Sequence, residues 1–176
     1  VPAAVPQLIQ QAFLARQDRR FDDARAILTE AVALARQPED QPHLADALAR
    51  LGAIERDTNH LDLALQHYYE AVSILRQQND PLRLAHAIRH VADIECQANR
   101  PDLAAPSYAE ALALYRAHPD APPLDLANAL RGIAVFHDAG GRRDQSRPLW
   151  LEARDLYASL NIAAGVREAS LRLDAG

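Results

Sequence analysis

The sequence predicts an all-α protein of four stacked helical hairpins closed by a C-terminal capping helix. Three observations carry that reading. Small residues recur in a fixed pattern: Ala92 is followed twelve residues later by Ala104 and seven after that by Ala111. The same triplet stands at Ala12, Ala24, Ala31, at Gly52, Ala64, Ala71 and, slightly degraded, at Ala134, Ser146, Ala153. A second pattern keeps the same register, Leu44-Ala45-x-Ala47-Leu48 returning as Leu84-Ala85-x-Ala87-Ile88 and as Leu126-Ala127-x-Ala129-Leu130, at spacings of forty and then forty-two residues. Proline and asparagine punctuate the copies at matching places. Self-similarity at such a period marks a repeat architecture, in which each unit buries its apolar face on its neighbours.

The punctuation places each element in turn. Junctions between units carry Pro38 and Pro42, then Pro81, then Pro119, Pro122 and Pro123. Proline lacks the backbone donor and disfavours helix in the residue before it, so these are helix stops. The two extra residues of the third unit fit the longer loop from His118 to Pro123. Within each unit a second break falls seven residues after the first small residue, at Asn59, Asn99 and Gly141, residue types that enter the left-handed conformation cheaply. The first unit has Arg19 there and is the least typical. Helices are therefore expected near 5–17, 21–36, 43–58, 61–77, 82–98, 101–117, 124–138 and 143–160. A ninth near 163–173 copies a unit's start, with Val166, Ala169 and Leu173 at the places of Leu84, Ala87 and Val91. One solenoid over 1–176 then divides into repeats at 5–42, 43–82, 83–124 and 125–162, with residues 163–173 as the cap.

Apolar residues at helical spacing explain why the hairpins must stack. Leu84, Ile88, Val91 and Ala92 share one face, and Ala104, Tyr108, Ala111 and Leu112 share another. The alanines sit where two backbones cross, so a large residue at Ala111 is expected to overpack the crossing by roughly 1–3 kcal/mol. Leu75, Tyr115 and Tyr157, late in their second helices, fill the gap toward the following hairpin. Pro106 and Pro148 lie inside second helices, each removing one helical hydrogen bond and shaping curvature. Asp22, Asp23, Asp102 and Asp144 open second helices, where carboxylates favour the helix dipole.

Composition bounds the function. Hydrophobic residues make up 49%, charged residues 24% and aromatics 5% of the 176 residues, a globular and helix-favouring mixture. A net charge of −5 argues against a dedicated nucleic-acid binder. No run of eighteen apolar residues is present, so no membrane partner is expected. A single cysteine, Cys96, makes a reducing cytoplasm the default expectation. The chain opens on Val1 rather than methionine, which suggests trimming or processing of an upstream segment.

The small residues at offsets zero, twelve and nineteen, an aromatic three residues before the last (Tyr68, Tyr108, Trp150) and Asn or Gly at the turn resemble the tetratricopeptide repeat (TPR). The period exceeds that family's usual one of about 34 residues. It is similar to the longer repeats of kinesin light chains, most closely from Leu126 to Ala134 and through Arg147 to Trp150. The resemblance implies a right-handed α-solenoid whose first helices line a concave groove for peptide or protein segments. Its groove candidates are Asp46, Ala49, Ala53 and Arg56, with Arg50 at the edge; His86, Arg89 and Asp93, with His90 beside them; and Asn128, Arg131 and Val135. The first unit offers Ile9, Phe13 and Arg16. The chaperone-binding subtype clamps a terminal carboxylate with Lys and Asn, but Ile9, Phe13, Arg50, His86 and His90 hold those places. The Asn-Asn pair of kinesin light chains is replaced by Ala49-Arg50, Arg89-His90 and Arg131-Gly132. Neither subtype's ligand is expected.

Two constellations carry chemistry of their own. His86, His90 and Asp93 share a helix face at a spacing compatible with a divalent metal, although Arg83 and Arg89 oppose a cation. Arg50, Arg56, Arg89 and Arg131 form a stripe able to attract an acidic segment, unless Asp46, Asp57, Asp93 and Asp138 neutralise it. Cys96 reads as a small buried hydrophobe, and Gly140-Gly141 as a hairpin turn rather than a phosphate loop. The sequence therefore points to a non-enzymatic interaction scaffold without a cofactor. It is expected to bind a protein or peptide, with an acidic one favoured by the stripe. The alternatives are a self-assembling module (a homo-oligomer through the first unit's Phe13 and Phe21), a regulatory segment of a larger protein, or a metal protein using His86, His90 and Asp93.

Overall fold

The structure, a computed structural model, describes residues 4–37 and 41–175. Among the described residues lie α1 (Ala4–Gln17), α2 (Phe21–Ala35), α3 (Gln41–Asp57), α4 (Leu61–Gln78), α5 (Pro81–Gln97), α6 (Pro101–Ala117), α7 (Pro123–Ala139), α8 (Arg143–Ser159) and α9 (Ala163–Asp174). Of the predicted punctuation, Pro38 lies outside the described residues, as does Val1.

Each hairpin turn is one backbone device repeated. Arg19, Asn59, Asn99 and Gly141 take left-handed φ values of 60°, 63°, 59° and 68°. The next amide reaches back five residues in every case: Arg20 to Ala15 at 2.8 Å, His60 to Glu55 at 2.7 Å, Arg100 to Glu95 at 2.8 Å and Arg142 to His137 at 2.9 Å. This Schellman closure satisfies the last carbonyls of one helix and starts the next, with no side chain needed as a cap. Arg19 makes the same turn as its asparagine counterparts, at a conformational cost of about 1–2 kcal/mol for a residue with a Cβ. Asn161 repeats the device between α8 and α9, with φ 58°.

The junctions between hairpins differ more. Asn79 turns left-handed with φ 54°, and the Asp80 carboxylate caps α5 by accepting from the Arg83 amide at 3.1 Å, with Pro81 in the first turn. Ahead of α7, the chain runs through His118 to Pro122, and Pro123 begins the helix.

Consecutive helices pack against one another along the chain, and α1 also meets α3 as α5 meets α7. Polar pairs sort the helices into two layers. The even layer carries a ladder: Arg36 to Glu70 at 2.7 Å, Arg76 to Glu110 at 2.8 Å and Arg116 to Glu152 at 2.6 Å. The odd layer is joined by Arg16 to Asp57, Arg56 to His90, His86 to Asp125 and Arg131 to Glu168. Between the layers run the small residues, every alanine and serine of the four triplets buried to 1% exposure or less. Gly52 shows why size matters there, since a Cβ would meet the Tyr68 ring at 2.7 Å. Leu75, Tyr115 and Tyr157 are buried and reach the following hairpin, Tyr157 lying against Gly165 of α9. Both α6 and α8 continue through Pro106 and Pro148. The seam between α6 and α7 is the loosest between consecutive helices.

Candidate functional site

The odd helices bring the predicted groove residues together, but in separate clefts. Asp46 and His86 line one of about 240 Å³, with Ala49, Arg83 and Asp125. Arg56, Arg89, His90, Asp93, Asn128, Arg131 and Val135 line a larger one of about 430 Å³ between α3, α5 and α7. Arg50 stands apart in a small crevice with Phe13 and Arg16.

Arg50 donates to Asp46 at 2.8 Å, one turn back on the same helix. Arg89, only 8% exposed, donates to Asp93 at 2.7 Å and forms the floor of the larger cleft rather than its rim. Arg131 makes a forked pair with Glu168 of α9, both contacts at 2.7 Å. Those hydrogen bonds raise the Arg131 pKa. Most of the expected arginine stripe is thus neutralised, partly by acids other than those anticipated: Asp138 instead accepts from Trp150 at 2.8 Å. Asp57 accepts from Arg16 at 2.8 Å and stands 3.7 Å from Arg56. Arg56 meets His90 Nδ1 at 3.0 Å.

His90 is the centre of the larger cleft. Its ring stacks on Tyr68, 5.3 Å between centroids, and meets His86 edge-on at 4.7 Å. Burial, then the neighbouring charges of Arg89, His86, Arg56 and Arg16, holds its pKa well below the usual imidazole value, so the ring is neutral. His86 instead faces Asp125 at 3.6 Å, a contact that lowers the Asp125 pKa. The expected alternative of a metal on His86, His90 and Asp93 is corrected here. Guanidinium groups face both His90 nitrogens, and no cluster of three or more such ligands exists among the described residues.

Tyr108, Cys96 and Gly132 were not singled out as site residues by sequence reasoning. Tyr108 donates to Asp93 at 2.8 Å and forms a wall. Gly132 occupies the repeat position that Arg50 and His90 fill in earlier units, and a Cβ there would meet Asp93 at 3.0 Å. The 430 Å³ cleft shares Cys96, Tyr108, Gly132 and Val135 with a second of about 530 Å³, which Phe136 also lines. The aligned repeats held the signal, in the Arg131-Gly132 pair opposite Arg89-His90. Asn128 accepts from Tyr157 at 2.8 Å, which leaves its amide N–H groups to face the cleft. Burial pushes the Cys96 thiol's pKa up, against thiolate chemistry. In the first hairpin Phe13 is 40% exposed, while Phe21 is half-buried with Arg19 above its ring. No helix among the described residues is long and apolar enough to cross a membrane.

Comparison with known proteins agrees with the fold. A tetratricopeptide repeat family model matches residues 5–77, the span of α1 to α4. No curated protein matches the chain in sequence. Among solved structures it is similar to BtubC (BKLC) from P. vanneervenii, with TM-score 0.81 and 18% identity over 92% of this chain and 66% of that one. It is also similar to aspartyl phosphate phosphatase F from Bacillus subtilis, with TM-score 0.87 and 12% identity over 97% of this chain and 44% of that one. A third likeness is to the nearly identical TPR-like repeats of a putative kinesin light chain from Podosopora anserina, with TM-score 0.72 and 13% identity over 99% and 95%. The chain spans just under two thirds of the first of these proteins and less than half of the second. At such identities the likeness is one of fold. The chain is a helical-repeat solenoid in fold, and its first two hairpins match the tetratricopeptide repeat family model.

Proposed function

We propose that this chain is a protein-interaction scaffold that holds a segment of its partner along the odd helices, with the cleft between α3, α5 and α7 as the centre of the groove. The family match supports the general role of binding proteins. One observation carries the finer reading: a cleft of about 430 Å³ stays open and is lined by charged and amide side chains from three successive first helices. Stacked hairpins hold those side chains in place before a partner arrives, which limits the ordering cost of binding. Arg56 and Asn128 present donors, and Arg131 can exchange Glu168 for an acid of the partner, so an acidic segment fits best.

A peptide-display selection on the folded chain tests this. Enriched peptides should carry Asp or Glu. They should lose binding to Arg56→Glu and Arg131→Glu while keeping it to Arg76→Glu, which alters only the even layer. Equal capture by all three variants would remove the groove as the binding surface.

A further inference from the structure

The cleft is one hydrogen-bond acceptor short. Arg56 reaches His90 Nδ1 at 3.0 Å, and Arg89 reaches Nε2 at 2.9 Å. Guanidinium groups only donate, whereas a neutral imidazole has one accepting nitrogen and one N–H. One of the two approaches therefore sets a donor against a donor, whichever tautomer the ring adopts. Protonating the ring would worsen the conflict, because it removes the remaining acceptor between two cations.

Nearby carboxylates do not relieve it. Asp93 already accepts from Arg89 and Tyr108, and its nearer oxygen stands 3.8 Å from Nδ1. Asp57 accepts from Arg16. A buried polar group left unpaired costs more than a hydrogen bond returns, so the arrangement favours anything that supplies an acceptor.

We propose that the space beside His90 is a slot for one oxyanion. Arg56 and the Nδ1–H of His90 both donate to it, while Nε2 accepts from Arg89. Both ring nitrogens then face a matched partner, and the tautomer is fixed. The slot stands on this geometry alone. The source of its anion rests on the groove reading, in which a carboxylate of the bound segment enters it; free inorganic phosphate has the same chemistry.

The test is a two-bond ¹H–¹⁵N correlation of the His90 ring in the full chain, assigned with His90→Asn, during titration with sodium acetate and separately with sodium phosphate. Sodium chloride at matched ionic strength and pH is the control. Acetate should drive His90 saturably to the Nδ1–H tautomer, and Arg56→Gln should weaken that response by about tenfold, the loss of one hydrogen bond to a charged group. A response to phosphate alone keeps the slot and rejects the carboxylate assignment. A response equal to that in chloride, or unchanged in folded Arg56→Gln, overturns the slot. Should the variant fail to fold, the wild-type titration decides by itself. An acetate response with no groove-dependent peptide selection leaves the slot standing and removes the groove as its source; the opposite result removes the slot and leaves the groove.

Discussion

Glu55 and Glu95 occupy the same place in successive odd helices, forty residues apart, and are equally buried at 3% and 2% exposure. Their partners differ. The Glu55 carboxylate accepts from Arg25 at 2.7 Å and meets His60 Nδ1 at 2.9 Å, so both oxygens are served. Glu95 accepts from the Tyr69 hydroxyl at 2.8 Å on one oxygen, while the other has Arg100 only at 3.8 Å and no hydrogen bond. Register repeats along this chain more faithfully than chemistry does. The backbone offers every unit the same buried position, and whatever side chain the preceding even helix projects decides whether a charge there is matched. Arg25 does so from α2, where the corresponding residue of α4 is Leu65, and Tyr69 supplies the substitute one turn later.

The largest effect should follow from removing the better partner. Arg25→Ala leaves a buried carboxylate with His60 alone and is expected to destabilise the first two hairpins by about 3 kcal/mol, read from urea unfolding. A loss as small as that of an exposed pair would mean that His60 and water suffice.

The same glutamate should govern acid sensitivity. Burial pushes the Glu55 pKa up, but hydrogen bonds from Arg25 and His60 outweigh it and leave the folded pKa below the reference value of 4.5. Its charge therefore stabilises the fold above the unfolded pKa, and that stability is lost as pH falls through the folded one. Glu55→Gln should flatten the decline in melting temperature below about pH 5. An unchanged acid profile would place the sensitive carboxylates elsewhere.

Tyr69→Phe sharpens the contrast from the other side. It takes away the one close donor of Glu95 at an expected cost of about 1.5 kcal/mol by chemical denaturation. Least of all should come from the even-layer ladder: Arg76→Ala breaks an exposed pair with Glu110 and should stay within about 0.5 kcal/mol. A larger loss there would show that the ladder acts as a connected network.

Much of the fold was legible because it depends on backbone spacing. Ala92, Ala104 and Ala111 announce a crossing too close for larger residues, and Asn59, Asn99 and Gly141 announce the left-handed turn. Arg19 makes that turn without a residue type that signals it. Asn161 makes it between α8 and α9, at a break expected near residue 161 although that junction carries no proline. In the candidate site, the positions on the odd helices were legible and the pairings of their side chains were not. Arg89 and Arg131 follow from the aligned repeats, but whether they face a partner or an internal acid depends on Asp93 and Glu168. Glu168 is 37 residues from the arginine it binds. Gly132 was visible as a departure from Arg50 and His90, yet a missing side chain becomes a cleft only once its neighbours surround it.

By itself the sequence determined the hairpins, their number and their register, because small residues, left-handed turns and prolines act within a few bonds of the chain. Tertiary structure decided which charges are paired between units and which stay open to the clefts. Arg50–Asp46 and Arg89–Asp93 pair within one helix, but Arg16–Asp57 and Arg131–Glu168 join different units, where a shift of one turn along a helix exchanges one partner for another. His90 shows the division: its place on α5 was readable, and its two guanidinium neighbours came from the packing of α5 against α3 and from its own helix.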